Sequence, residues 1–147
     1  MNAAPLPGRL DEVVEAFAGL PRDVKLELLL DYANGLPPLP EAYADDRGAF
    51  ERVHECQTPF FVATELEDGR VHLYFDAPDE SPTTRGFAGI LHAGLDGEAP
   101  AEVLEVPADF PSRLGLEEAV SPLRLRGIAA ILGVVQRQVR GRLAAES

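Results

Sequence analysis

A single cysteine, Cys56, is the only thiol in the 147 residues of this chain. One thiol cannot close an intrachain disulfide, and by itself it cannot supply a multi-cysteine metal site. It is either a small inert residue or one reactive sulfur. Long apolar runs are also missing. Nothing approaches the length of a membrane-spanning helix, and no N-terminal stretch joins a basic region to a continuous apolar segment. With no disulfide to protect, a reducing cytoplasm is the expected location. Bases are scarce, 13 against 25 acids, for a net charge of −12. That balance argues against nucleic acid and anionic membranes as main partners, because phosphate binding needs a basic surface. Gly-x-Ser-x-Gly, His-Glu-x-x-His and a phosphate-binding Gly-Lys-Ser/Thr are absent.

What is present fits one soluble domain. A hydrophobic fraction of 46% and a charged fraction of 26% are ordinary, and the length suffices to bury a core without staples. The charge is uneven. Residues 1–120 carry 24 acids and 8 bases, whereas residues 121–147 carry five arginines and only Glu146. The end of the chain is therefore a solvated basic face or a docking surface for an acidic partner.

Periodicity organises the rest. Residues 1–8, with two prolines and a glycine, read as a flexible leader to a domain over 9–147. Leu10, Val13, Val14 and Phe17 predict a helix over Asp11–Ala18. After the break at Leu20-Pro21, a second helix runs to about Gly35, with Val24, Leu26, Leu28, Leu29, Leu30 and Ala33 giving a broad apolar face. Pro37, Pro38 and Pro40 enforce an extended connection, and Asp45-Asp46-Arg47-Gly48 predicts a turn. Phe60–Leu66 and Arg70–Phe75 are expected strands joined by Glu67-Asp68-Gly69, with Val71, Leu73 and Phe75 inward. A weaker strand signal lies just ahead of Cys56. Past an acidic loop over Asp76–Pro82, Phe87, Ile90, Leu91 and Leu95 mark a helix from about Thr83. Gly86 and Gly89 lie inside it at a cost in helix propensity, which close packing would offset. Pro100–Val106 predicts a short helix and Asp109–Gly115 a compact turn. The final helix opens with Ser121 as cap and Pro122 at its first position. Ile128, Ile131, Leu132, Val135 and Val139 form its apolar stripe, and Arg126, Arg137 and Arg140 stay wet.

The local chemistry around Cys56 is mixed. His54 and Arg52 would stabilise a thiolate, whereas Glu51 and Glu55 would oppose it. His72 and His92 are isolated, and read as surface or hydrogen-bonded residues rather than ligands. Asp76, Asp79 and Glu80 lack calcium-loop spacing, so no metal site is expected.

Four segments, in order, resemble the SufE family, the sulfur acceptors of the Suf iron–sulfur assembly system. They are Leu36-Pro37 with Leu39-Pro40; Cys56-Gln57-Thr58 followed by Phe60-Phe61-Val62; Arg85-Gly86-Phe87-Ala88-Gly89-Ile90-Leu91; and Leu114-Gly115-Leu116 followed by Ser121-Pro122-Leu123-Arg124-Leu125-Arg126-Gly127. They correspond to the family's Leu-Pro signature, its Cys-Gln-Ser motif, its glycine-containing helix and its Ser-Pro-Ser-Arg-x-x-Gly pattern. The resemblance spans roughly residues 10–140. Two departures stand out. Glu55 replaces the glycine that usually precedes the cysteine, and Asp76–Pro82 replaces an Asp-Ser-Asp-Ala segment, with Glu80 aligned to its second Asp.

The resemblance implies an α+β fold, a small antiparallel sheet packed with helices in a single domain, shared with iron–sulfur scaffold proteins. Those hold a cluster with several cysteines, so a chain with one thiol is not expected to be a scaffold. It implies that Cys56 accepts sulfur from the persulfide of a SufS-like cysteine desulfurase, stimulates that enzyme, and passes the sulfur to a SufB-containing complex. The chain is then a persulfide carrier rather than a stand-alone enzyme. Pyridoxal phosphate belongs to the desulfurase, and no cofactor is expected here. By the same resemblance Arg124 docks the partner or steadies the sulfur anion, and the acidic position falls on Glu80. His54 is a candidate for assisting deprotonation, and Gln57 for shaping the loop. Both monomer and homodimer are compatible with the sequence. A desulfurase-binding regulator that does not use the thiol is the alternative reading. A thiol peroxidase is disfavoured, because the Pro-x-x-x-Thr-x-x-Cys arrangement is absent.

Overall fold

The computed structural model describes residues 6–44, 47–77 and 79–146. Among these, seven helices surround a three-stranded antiparallel sheet. The order is α1 (Gly8–Phe17), α2 (Arg22–Asn34), α3 (Glu41–Ala44), β1 (Glu51–Arg52), β2 (Phe61–Glu67), β3 (Arg70–Asp76), α4 (Pro82–Leu95), α5 (Pro100–Leu104), α6 (Phe110–Arg113) and α7 (Pro122–Glu146). Short 3₁₀ turns occupy Arg47–Ala49 and Leu116–Glu118. This is the α+β architecture expected from the sequence.

The sheet runs β1-β2-β3. Its hairpin is tight because Asp68 and Gly69 both take positive φ, 53° and 75°, the twist that a two-residue connection needs. The register pairs Glu67 with Arg70 and Val62 with Phe75. That register sends Val62, Val71, Leu73 and Phe75 into the core. β1 adds two residues beside β2, pairing Glu51 with Val62 and Arg52 with Phe61. The outer edge of β3 is covered by the turn after α4. Val71 exchanges backbone bonds with Glu98 and Gly97, and Asp96 Oδ1 accepts from Leu73 N at 2.8 Å. His72 and His92 flank the same Asp96 carboxylate, at 3.8 and 3.7 Å.

α4 is the central helix, packed against α1, α2, β3 and α7. The two glycines inside it are explained by contact with α2. A Cβ on Gly86 would lie 2.5 Å from the Leu29 carbonyl oxygen, and one on Gly89 would overlap the Tyr32 carbonyl. α7 crosses β2, with Gln138 and Arg142 donating to the carbonyls of Val62 and Thr64. Its stripe of Ile128, Ile131, Leu132, Val135 and Val139 is buried as the spacing predicts. Ser121 Oγ accepts from Arg124 N at 3.3 Å, which makes Ser121 the cap of this helix.

Several expectations shift. α1 starts at Gly8 rather than Asp11. The leader expected over 1–8 lies partly outside the described residues, and its last part is packed, with Pro7 buried and Leu6 against the core. Asp45 and Asp46 of the predicted turn, and Pro78 of the acidic loop, are likewise outside the described residues. The apolar face of α2 is rotated from the sequence reading: Val24 and Leu30 are exposed, whereas Lys25 is 5% exposed. Lys25 Nζ reaches Glu118 at 2.8 Å and the Gly115 carbonyl at 3.4 Å, so its charge is paired and its stem fills the core.

Candidate functional site

Cys56 sits in a loop whose base is closed by one bond, Val53 N to the Phe60 carbonyl at 2.8 Å. Val53 and Phe60 are fully buried, while His54, Glu55, Gln57 and Pro59 between them are exposed. Cys56 alone turns inward. It is 7% exposed, and its N–H bonds back to the Val53 carbonyl at 3.1 Å. The loop can lie so close to α7 because residue 127 is glycine. A Cβ there would stand 3.2 Å from Cys56 Sγ and 3.4 Å from the Glu55 carbonyl oxygen.

The thiol faces a small pocket, partly open to solvent. Glu55, Gln57 and Thr58 line it from the loop, Ser81 and Thr84 from the start of α4, and Leu123, Arg124 and Gly127 from the first turns of α7. Ser81 Oγ and Thr58 Oγ1 are 2.9 Å apart, and Arg124 Nη1 donates to Ser81 Oγ at 3.5 Å. Leu123 stands half-exposed on this rim. A second open groove shares Arg124 and continues past Pro82 and Val120 to Leu26 and Arg22.

Burial pushes the Cys56 thiol up to about 11, and the neighbouring Glu55 carboxylate adds to the rise. At neutral pH the resting sulfur is therefore a protonated thiol, sheltered and weakly nucleophilic.

Of the side chains singled out from sequence, Cys56, Gln57 and Arg124 share the pocket. Glu80 is exposed in the turn before Ser81, outside the pocket lining. His54 is exposed, near enough to Glu51 to favour its ionised form, and also outside the lining. Thr58, Ser81, Thr84 and Gly127 are site residues that sequence reasoning did not single out. Gly127 had a signal, since it closes the Ser-Pro-x-Arg segment. Ser81 and Thr84 flank Pro82 at a helix start, where capping was the ordinary reading.

The fold and pocket define a class: a small α+β domain presenting one sheltered thiol beside an arginine, with no other thiol to share a metal or disulfide. The SufE family profile, described as an Fe–S metabolism associated domain, matches residues 11–139. The chain belongs to the SufE family. An uncharacterised SufE-like protein of Mycobacterium tuberculosis is 51% identical over 138 residues, covering 93% of this chain and 95% of that one. The solution structure of a hypothetical protein from Thermus thermophilus is 48% identical, with a TM-score of 0.84 over 95% of this chain and 99% of that one. The cysteine desulfuration protein SufE of Plasmodium vivax is 28% identical over 131 residues, 86% of this chain and 51% of its own length.

Proposed function

We propose that this protein is a sulfur carrier for iron–sulfur metabolism, accepting persulfide sulfur from a cysteine desulfurase onto Cys56. The observation that carries the reading is the lone thiol turned into a pocket beside Arg124, on a loop otherwise exposed. Family membership and the desulfuration protein among its relatives support it.

The chemistry is an exchange without net oxidation. The Cys56 thiolate attacks the outer sulfur of the donor's persulfide, and a new S–S bond forms at Cys56. The donor's S–S bond breaks, and its electron pair leaves on the donor cysteine as a thiolate. The resting thiol is not ready for this, because it is protonated and buried. Docking must lift the loop about its anchors, Val53 and Phe60, which exposes the sulfur and lowers the cost of ionisation. Half-exposed Leu123, Arg124 and the adjoining groove past Arg22 form the surface around that loop. They suit a partner with an acidic rim and an apolar contact. Faster turnover of the desulfurase follows from removal of its sulfur. Delivery to a SufB-containing scaffold in the cytoplasm completes the relay.

Intact mass spectrometry after mixing the protein with a cognate desulfurase and free cysteine tests the reading. One added sulfur, lost on reduction and absent from Cys56→Ser, is expected. Full stimulation of the desulfurase by Cys56→Ser would instead establish the regulator that does not use its thiol.

A further inference from the structure

The solvent face of α7 is built unlike that of an ordinary surface helix. At helical spacing it carries Arg126, Ala129, Gly133, Arg137, Arg140 and Ala144, all exposed. No acid occurs between Pro122 and Ala145, in a chain of net charge −12. The middle of this stripe is flat, with an alanine and a glycine where long polar side chains would ordinarily stand. Gly133 has no reason within the chain. A Cβ on Gly86, Gly89, Gly94 or Gly127 would come within 3.2 Å of a neighbour, whereas one on Gly133 would meet open space. Glycine inside a helix costs propensity, which close packing offsets at those other positions. Beside the stripe runs a ridge of opposite charge. Gln136 donates to the carbonyls of Val103 and Val106 at 3.1 and 2.8 Å, which pins α5 and the turn after it against this edge of α7. From Pro100 to Asp109 the ridge exposes Glu102, Glu105 and Asp109 and holds no base. Arg126, Arg140 and those three acids make no ion pair among the described residues.

We propose that the stripe of α7 and the ridge of α5 together form a homodimer interface, in which the acidic ridge of each copy lies on the basic, small-residue stripe of the other. A surface that carries both signs side by side is complementary to itself when a two-fold axis runs between the two strips. Rotation about that axis sets Glu102, Glu105 and Asp109 of one copy over the arginines of the second, and the reverse. The flat stretch at Ala129 and Gly133 lets the ridge come close, so the interface has a packed centre within a charged rim. Partners of one sign fit worse. Nucleic acid or an anionic membrane drawn to the arginines would meet the carboxylates of the ridge alongside them. The Cys56 pocket draws instead on Leu123, Arg124 and Gly127, so the inference does not depend on the carrier reading.

Sedimentation velocity of the full chain tests this from micromolar to near-millimolar concentration, in a reductant that keeps Cys56 from cross-linking two copies. The mass should rise from the 15.9 kDa of the monomer to twice that value. Raising salt from about 0.1 to about 1 M cuts the screening length from about 10 to about 3 Å and should weaken the dimer. Gly133→Gln improves helix propensity and fills the flat stretch. It should raise the dissociation constant about tenfold or more, without lowering the melting temperature where both proteins are monomeric. Arg140→Glu and Glu105→Arg should each abolish self-association, because each sets like charges across the two-fold axis. Mixed in equal amounts they should pair with each other, since one is then acidic and the other basic on both strips. A monomer at every concentration would overturn the proposal, as would a dimer indifferent to salt and to all three substitutions. So would a monomer that binds heparin, which would give the arginines to a polyanion instead.

Discussion

Alkylation of Cys56 by iodoacetamide reports how far the fold suppresses this thiol. At pH 8 a thiol with the ordinary value of 9.0 is ionised in about one molecule in ten, and one raised to about 11 in about one in a thousand. Native protein should therefore react about 100-fold more slowly than the chain unfolded in denaturant, before any further loss from restricted access. Glu55→Gln should raise the native rate while leaving it well below the unfolded one, because burial is the larger cause and the carboxylate the smaller. Stability carries the same signature. The native thiol holds its proton more tightly than the unfolded one. Its contribution is intact below pH 9 and is lost as the pH rises through about 11. That loss is roughly 2–3 kcal/mol, at about 1.4 kcal/mol for each pH unit. Comparing urea unfolding of wild type and Cys56→Ala between pH 8 and 11 isolates it from the tyrosines, which also ionise late. Equal alkylation of native and unfolded protein at pH 8 would refute the sheltered, protonated thiol and the need for the loop to open.

Other substitutions separate the scaffold from the site. Gly89→Ala places a methyl group on the Tyr32 carbonyl and should cost about 1–3 kcal/mol in urea unfolding, since backbone cannot step aside cheaply. Gly127→Ala should change stability little, because a helix-propensity gain of up to about 1 kcal/mol offsets a contact that is tight by only a few tenths of an ångström. It should nevertheless speed alkylation of Cys56, because the new methyl presses on the loop. Asp96→Ala removes the acceptor for Leu73 N at the edge of β3 and should cost about 1–2 kcal/mol by thermal unfolding. Arg124→Ala should weaken desulfurase binding roughly tenfold in calorimetry with little change in melting temperature, whereas an unchanged dissociation constant would remove Arg124 from docking.

The elements that the sequence announced are those whose signals are local. Asp68-Gly69 can take the backbone angles of a tight hairpin, and Ser121-Pro122 can start a helix wherever it sits. Gly86 and Gly89 were legible because a cost in the middle of a helix demands a neighbour. The inward turn of Lys25 was not legible. Leucine and valine surround α2 on most sides, and what selects its buried face is a carboxylate and a carbonyl about 90 residues further along. At the site, motif order led to Cys56, Gln57 and Arg124, which share one pocket. Ser81 and Thr84 stayed hidden because their types and positions match ordinary helix starts. Only the structure shows that both line the Cys56 pocket and that Ser81 declines to cap. The exposed positions of His54 and Glu80 were equally beyond reach, since two residues of loop can point either way.

Shelter and transfer make opposed demands on one sulfur, and Glu55 sharpens the conflict. This loop carries a charge beside the nucleophile, which adds to burial in holding the thiol protonated. Once the loop lifts into solvent, burial is relieved, but Glu55 travels with Cys56 and continues to oppose the thiolate. On the proposed carrier reading, the docked partner would bring the base or positive field that takes the proton. This makes premature reaction with small oxidants slow and ties activation to docking. Glycine at position 55 should loosen that tie in a measurable way. Glu55→Gly should react faster with iodoacetamide in the absence of partner, and gain less when the desulfurase is added. If partner addition accelerates both proteins by the same factor, the carboxylate plays no part in gating and burial alone keeps the thiol silent.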